Sequence, residues 1–254
     1  MIDSIPMPRT FSSALHTARV RFMHLIRRRF FLLFIFLLAS IVLYPYAESS
    51  GPGYYAFRIL VGGVILLTVY AVTYSRGLFF LVIALAIPSI LQHTLIHLSD
   101  AGVIPLLSRF LSLAFYVVVI SIIFRHVFEN EKPDTESIFG ALCIYLLIGF
   151  AFSSAYVVIV SLRPHAFYLA PTANPHTVPD RFDFIYFSFG TLTEVGAPGI
   201  TAVAPIARSL SLLESIAGIL YLAILISRLM GTYHAVTLAA VETKHNSADK
   251  PALE

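Results

Sequence analysis

Charged residues are scarce in this sequence, and their scarcity excludes a soluble fold. Only 12% of the 254 residues are charged, whereas 58% are hydrophobic. In soluble domains about a quarter of the residues are charged, because most of the surface faces water. A soluble chain of this length cannot hide so much apolar surface. The composition therefore predicts an integral membrane protein.

Cysteine and the common hydrolase motifs are also missing or nearly so. The single cysteine, Cys143, lies inside an apolar run and cannot form an intrachain disulfide or a cysteine zinc site. Neither the serine-hydrolase pattern G-x-S-x-G nor the zinc-protease pattern H-E-x-x-H occurs. The net charge is only +3, and the arginines cluster at the ends of apolar runs, as topology determinants do. We expect no enzyme activity, no cofactor and no nucleic-acid partner.

Long apolar stretches are abundant, and six of them approach the length of a membrane span. A span needs about 20 apolar residues and must be helical, because each backbone N–H and C=O has to be paired within its own segment. The stretches are 30–46, 59–75, 78–98, 103–124, 138–162 and 206–226. The sequence therefore predicts an all-α membrane protein with six transmembrane helices.

The placement of lysine and arginine predicts the orientation of these helices. With the N-terminus inside, twelve of these residues fall in cytoplasmic segments and five in external ones. Basic residues accumulate on the cytoplasmic side of a membrane. We therefore expect a multi-pass protein of the plasma or inner membrane with both termini in the cytoplasm.

One connection is long, the segment of about 43 residues between the fifth and sixth stretches. Its first part, 163–179, is rich in proline, and its second part, 180–190, is apolar and aromatic but too short to cross a bilayer. A short apolar helix is typical of a re-entrant segment, and Asp180 is a suitable N-cap residue for it. Irregular backbone after it is tolerated at membrane depth only where it lines water or is buried in protein.

The nine residues after this short helix, 191–199, read Thr-Leu-Thr-Glu-Val-Gly-Ala-Pro-Gly. They resemble the selectivity filter of the potassium-channel family, whose pattern is T-x-T-T-V-G-Y-G-D. The resemblance extends to 186–189, which is similar to the family's pore helix, and to 205–231, which is similar to the inner helix of bacterial members. In such a filter, carbonyl oxygens point at an axis shared by several subunits and replace the hydration shell of a passing cation.

The resemblance implies a division of the chain, a set of site residues and an assembly. The division is a cytoplasmic segment 1–29, a four-helix transmembrane module 30–128, a pore domain 137–231 and a cytoplasmic tail 232–254. The implied filter and ion-binding residues are Thr193, Glu194, Val195, Gly196, Ala197, Pro198 and Gly199. The implied assembly is a homotetramer in membrane lipid, since four re-entrant loops are needed to surround one axis.

The filter departs from the family pattern in its outer half. Gly196 is retained, but Ala197, Pro198 and Gly199 stand where the family has tyrosine, glycine and aspartate. Proline has no N–H to offer and fixes its own φ, and alanine has no ring to brace the strand. We therefore expect a wider outer mouth and a weakly selective or divalent-sensitive channel, with K⁺, Na⁺ and Ca²⁺ as candidate permeant ions.

Glu194 stands where the family has its second threonine, at the inner entrance of the filter. In a tetramer four carboxylates would meet there, and such a ring attracts cations and favours divalent ones. In the alternative interpretation the side chain turns behind the filter and hydrogen-bonds the pore helix, or repulsion between like charges keeps it protonated.

Three residues on one side of the sixth stretch are candidate supports of the pore. Glu214, Gly218 and Tyr221 follow one another at i, i+4 and i+7. By resemblance Gly218 is the gating hinge of the inner helix; the alternative is a small residue that lets two helices pack closely. We expect Glu214 to be a buried hydrogen-bonding anchor behind the filter, with Tyr221 as structural support beside it.

The first four stretches contain a second constellation. His93, His97 and Asp100 share one helix face, and this spacing can bind zinc or sense pH; the alternative is an ordinary polar helix end. The fourth stretch carries only Arg109, whereas a voltage sensor needs about three or four regularly spaced arginines. Voltage sensing of that kind is therefore not expected.

A passive oligomeric cation channel is the leading hypothesis. The first alternative is a pore-like membrane sensor or scaffold that does not conduct because Pro198 closes the filter. The second is a metal-dependent membrane enzyme that uses His93, His97 and Asp100.

The altered outer filter generates a first prediction. Replacing Ala197 with Tyr and Pro198 with Gly restores the family pattern at both positions, so the reversal potential across a potassium–sodium gradient is expected to move toward the potassium equilibrium potential. The measurement is a current–voltage series on the reconstituted protein. An unchanged reversal potential contradicts the assignment of these two residues to the filter.

Overall fold

A computed structural model describes residues 29–44, 60, 62–69, 80–87, 103–129, 135–172 and 178–248. The elements in chain order are α1 (Arg29–Leu43), α2 (Val103–Glu129), α3 (Thr135–Leu162), β1 (Phe167–Leu169), α4 (Arg181–Leu192), β2 (Ile200–Ala202) and α5 (Pro205–Ala248). The backbone is also helical at 62–69 and 80–87. The regular structure of the described residues is thus helical apart from one pair of short strands.

Among the described residues, three helices are long and apolar enough to cross a membrane, over Val103–Glu129, Glu136–Leu162 and Pro205–Ser227. They coincide with the fourth, fifth and sixth predicted stretches. Each satisfies its backbone hydrogen bonds within the helix, which is the condition for crossing hydrocarbon. The chain is therefore a mostly helical membrane protein.

Two helix ends differ from their predicted positions. α1 has 15 residues and ends at Leu43, so it is shorter than the predicted stretch 30–46 and than the roughly 20 residues of a span. Pro45 explains this end, because the residue before a proline avoids the helical conformation. α5 continues to Ala248, through most of the predicted tail, since no proline follows Pro205 until position 251.

Two predicted stretches, 59–75 and 78–98, are described only in part. His93, His97 and Asp100 lie outside the described residues, as does the N-terminal segment up to residue 28.

α3 is the central helix of the described chain, with α1, α2, α4 and α5 packed around it. Its residues Cys143, Ile144 and Leu147 are at most 1% exposed. They belong to one apolar cluster with Phe30, Leu33 and Leu37 of α1 and Phe115, Val119 and Ile123 of α2. Burial of these side chains against one another positions α3 as the support for the short helix that follows it.

α4 begins with a reciprocal cap. The Asp180 carboxylate accepts a hydrogen bond from the Asp183 backbone N–H at 2.8 Å, and the Asp183 carboxylate accepts one from the Asp180 N–H at 2.9 Å. This capping box pairs two backbone donors that the first turn of a helix otherwise leaves unpaired. The prediction of a helix that starts after Asp180 is confirmed.

The contacts of α4 define its direction. The Ser188 hydroxyl lies 2.7 Å from the Gly149 carbonyl, and one turn later the Leu192 carbonyl accepts a hydrogen bond from the Tyr145 hydroxyl at 3.3 Å. Residue numbers thus rise along α4 while they fall along α3. α4 therefore runs antiparallel to α3 and ends near the middle of it.

The chain after α4 returns to the end of α3 from which α4 started. β2 pairs antiparallel with β1, which lies shortly after α3, with Tyr168 opposite Thr201. The Ala166 carbonyl also accepts hydrogen bonds from the N–H groups of Val203 and Ala204, at 2.9 and 3.1 Å. This two-stranded sheet departs from the predicted all-α fold, and it closes the return path.

An aromatic cluster fills the space beneath this sheet. Phe167 of β1 makes edge-to-face contacts with Tyr156, Phe184 and Phe187, with ring centroids 5.0 to 5.4 Å apart. All four rings are buried. The cluster joins α3, β1 and the first half of α4 into one unit.

Gly218 generates a prediction about packing. A Cβ atom at this position would lie 2.5 Å from the Leu192 carbonyl oxygen, a backbone atom that cannot move aside by a side-chain rotation. We expect Gly218→Ala to lower the free energy of unfolding by about 1–3 kcal/mol, measured by thermal unfolding in detergent.

The matched control for this variant is Gly62→Ala. A Cβ atom there has no neighbour within 4 Å, so the change is expected to be neutral or slightly stabilising. Equal stability of the Gly218 variant and wild type would show that close packing does not require this glycine.

Candidate functional site

The loop of residues 193–199 at the end of α4 is the most unusual backbone in the described chain. Glu194, Gly196 and Gly199 have φ angles of 59°, 83° and 94°. Positive φ is ordinary for glycine but uncommon for glutamate, and such conformations concentrate at functional sites. Glu194 is the one described non-glycine residue in this region of conformation.

The loop folds back against the last turn of α4. The Gly196 N–H donates to the Gly190 carbonyl at 2.9 Å, and the Glu194 N–H donates to the Thr191 carbonyl at 3.2 Å. A Cβ atom at Gly190 would lie 2.5 Å from the Gly196 oxygen. The loop can therefore fold back against α4 only if residue 190 is glycine. In the sequence, the one sign of this close contact was a glycine within an aromatic segment.

Five carbonyl groups of the loop accept no hydrogen bond from any described residue. Two other carbonyl groups of the loop are paired: the Ala197 oxygen accepts a hydrogen bond from the Ile200 N–H at 3.2 Å, and the Gly199 oxygen accepts one from the Ala170 N–H at 2.8 Å. The unpaired carbonyls are those of Thr193, Glu194, Val195, Gly196 and Pro198. Residues 193–196 and 198 are all exposed. Backbone carbonyls without a protein partner need water or a cation.

The side chains of the loop also face outward. Val195 is 81% exposed, and the Glu194 carboxylate contacts no donor within the described chain. The alternative in which Glu194 hydrogen-bonds the pore helix through its side chain is therefore not the arrangement present. Thr193 instead caps α4, because its hydroxyl donates to the Phe189 carbonyl at 2.6 Å.

Glu214 of α5 is fully buried, with 0% of its surface exposed. Its Oε2 accepts a hydrogen bond from the Tyr156 hydroxyl at 2.6 Å, and its Oε1 is hydrogen-bonded to the Ser188 hydroxyl. These three residues come from α5, α3 and α4. A single buried carboxyl group thus joins the three helices behind the loop.

Counting protons indicates the state of this carboxyl group. The Ser188 hydroxyl has one hydrogen but lies within bonding distance of two oxygens, the Gly149 carbonyl and Glu214 Oε1. The Tyr156 hydrogen is used on Oε2. When Ser188 donates to Gly149, the Ser188–Glu214 contact requires a hydrogen on the carboxyl group. The arrangement therefore fits a neutral carboxylic acid, which also avoids burying a charge.

Gly218 and Tyr221 extend the same contact between α5 and its neighbours. Gly218 faces the Leu192 carbonyl, a contact that supports the alternative of close helix packing, while its role as a gating hinge stays a prediction. The Tyr221 hydroxyl donates to the Ala141 carbonyl of α3 at 2.6 Å. Hydrogen bonds between helices of this kind hold membrane helices together where apolar packing has little specificity.

Sequence reasoning missed four residues of this site. They are Gly149, Tyr156, Ser188 and Gly190. Ser188 and Tyr156 did carry a signal, since each is a polar group inside an apolar stretch. Within the described ranges no group of three His, Cys, Asp or Glu residues is placed to hold a metal ion.

No family model, curated protein or solved structure matches the chain. The resemblance to potassium channels thus depends on the short motif of residues 191–199 and its flanking helices.

The protonated carboxyl group generates a prediction. In Glu214→Gln the amide oxygen can accept from Tyr156 and the amide N–H can donate to Ser188, so this variant is expected to unfold near the wild-type temperature. Glu214→Ala leaves both hydroxyls without that partner and is expected to lose about 1–3 kcal/mol of stability. Thermal unfolding in detergent measures both. A glutamine variant as unstable as the alanine variant contradicts the neutral acid.

Proposed function

We propose that this chain is one subunit of an oligomeric cation channel, in which the loop of residues 193–199 lines the ion path. One observation carries the proposal: a loop with five unpaired carbonyl groups is held half-way along two helices that are long enough to cross a membrane. The potassium-channel-like motif of the same residues supports it.

The dimensions of α4 support the proposal that this loop lies inside a bilayer. Twelve residues of helix extend about 18 Å, against a hydrocarbon core of about 30 Å. α4 starts at the carboxyl end of α3 and stops near its middle, and β2 then returns the chain to the starting end. If α3 and α5 span the membrane, this path fits a re-entrant loop.

Hydrocarbon cannot surround such a loop. Each unpaired carbonyl exposed to lipid costs several kcal/mol, so irregular backbone at this depth must line water or lie against protein. In a single chain residues 193–196 are exposed. An axis shared by several copies supplies both protein and water, and cations on that axis take the carbonyl oxygens as ligands.

The surface of α5 fits an assembly of identical subunits. Many of its large apolar side chains are more than half exposed in the single chain: Leu212, Leu213, Ile216, Ile219, Leu220, Ile224 and Ile226. They lie on more than one face, so neighbouring copies and lipid can cover them together. Four copies around one axis form the proposed homotetramer.

The proposed topology has six spans, with both termini in the cytoplasm. In this proposal the stretch 30–46, which contains α1, and the stretches 59–75 and 78–98 supply three spans, and α2, α3 and α5 supply the others. The basic residues at the cytoplasmic ends support this orientation.

Ion flux from the purified protein in liposomes tests the proposal. We expect cation flux in potassium, sodium or calcium gradients and an assembly larger than a monomer by size measurement in detergent. An assembled protein without flux would favour the non-conducting sensor or scaffold, and a monomer without flux would exclude a pore.

Glu194→Gln tests the carboxylate ring. The change removes a charge but little volume from an exposed side chain, so assembly is expected to be unaffected. We expect the calcium concentration for half-block to rise by about tenfold, equivalent to about 1.4 kcal/mol. The matched control is Glu129→Gln, on the exposed end of α2. Equal calcium sensitivity of Glu194→Gln and the control would remove the ring.

A further inference from the structure

A cavity of about 100 Å³ lies at the amino end of α4, the opposite end of this helix from the loop. Residues of α1, the helical segment 62–69, α2, α3 and α4 line it. Part of its wall is apolar, with Leu37, Leu147 and Ile185 among the lining side chains. The cavity is thus separate from the proposed ion path and is enclosed by helices on several sides.

Two guanidinium groups share this cavity. Arg109 comes from α2 and donates a hydrogen bond to the Ser161 hydroxyl of α3, and Arg181 is the first residue of α4. The two guanidinium groups are close enough for their charges to interact. None of the described residues that line the cavity is acidic.

Hydroxyl groups complete the polar part of the lining. Ser153 and Ser154 of α3 both line the cavity, and Ser153 is only 4% exposed. Neither hydroxyl makes a hydrogen bond with another described residue. Both hydroxyls border the cavity, so they can donate a hydrogen bond to a ligand or to water inside it.

We propose that this cavity binds a phosphate group. The guanidinium of arginine is a planar fork that matches two oxygens of one anion. A carboxylate offers two oxygens, enough for one fork, whereas phosphate offers oxygens for both arginines and for the Ser153 and Ser154 hydroxyls. The apolar wall suits the glycerol and acyl parts of an anionic phospholipid, and inorganic phosphate offers the same chemistry without them.

This proposal does not depend on ion conduction. A phosphate group between Arg109 and Arg181 would join α2 to the start of α4 and reduce the repulsion between the two charges. A ligand that binds the folded state raises the unfolding temperature in a concentration-dependent way. Binding is therefore measurable on the full-length protein in neutral detergent.

The experiment compares three probes by thermal unfolding: inorganic phosphate, dihexanoylphosphatidylglycerol and dihexanoylglycerol, which lacks the phosphate. We expect a saturable rise in unfolding temperature with a phosphate-bearing probe and none with dihexanoylglycerol. A rise with the phospholipid alone identifies a lipid headgroup as the source. A rise of the same size with inorganic phosphate identifies the free anion.

Variants locate the site. Arg109→Gln and Arg181→Gln are each expected to weaken binding by about tenfold or more, because each removes one charged fork. The matched control is Arg125→Gln, since Arg125 lies on α2 with its side chain 77% exposed and is expected to keep wild-type affinity. If a glutamine variant does not fold, Arg109→Lys and Ser153→Ala replace it, and each is expected to bind more weakly than wild type.

Three outcomes would overturn the proposal. The first is the absence of a saturable rise with both phosphate-bearing probes on the wild-type protein. The second is an equal rise with dihexanoylglycerol. The third is wild-type affinity in the folded cavity variants.

Discussion

The hydrogen bonds that anchor α4 between α3 and α5 are the constraint on which the rest of this structure depends. A helix of 12 residues is too short to cross a bilayer, so its position has to be set by its neighbours. Ser188 fixes the position of α4, because its hydroxyl contacts both the Gly149 carbonyl and Glu214. In apolar surroundings a lost hydrogen bond leaves a polar group unpaired at high cost, so the helix has one preferred position.

Close backbone approach adds to this anchoring at three glycines. Gly149 leaves room for the Phe189 ring, Gly190 for the returning Gly196 carbonyl, and Gly218 for the Leu192 carbonyl. The chain after α4 folds back against this helix, because the Gly196 N–H donates a hydrogen bond to the Gly190 carbonyl. The carbonyl groups of residues 193–196 and 198 accept no hydrogen bond from the described residues, which is the property that the proposed cation path requires.

α4 is also the element that connects the two sites proposed for this protein. Its carboxyl end carries the loop of residues 193–199, and its amino end contributes Arg181 to the cavity shared with Arg109. Between these two ends, Phe184 and Phe187 of α4 pack against Phe167 of β1. A ligand at one end therefore acts on the same short helix that positions the other.

The sequence by itself determined the membrane environment, three of the six predicted spans as described helices of spanning length, the start of the short helix at Asp180 and the irregular backbone after it. These follow from apolar length, capping chemistry and glycine and proline placement, which are local properties. Tertiary structure alone decided that Glu214 meets Tyr156 and Ser188, that β1 pairs with β2, and that Arg109 and Arg181 share a cavity. Those partners are distant in the chain, and no local pattern specifies which polar groups will meet when apolar helices pack.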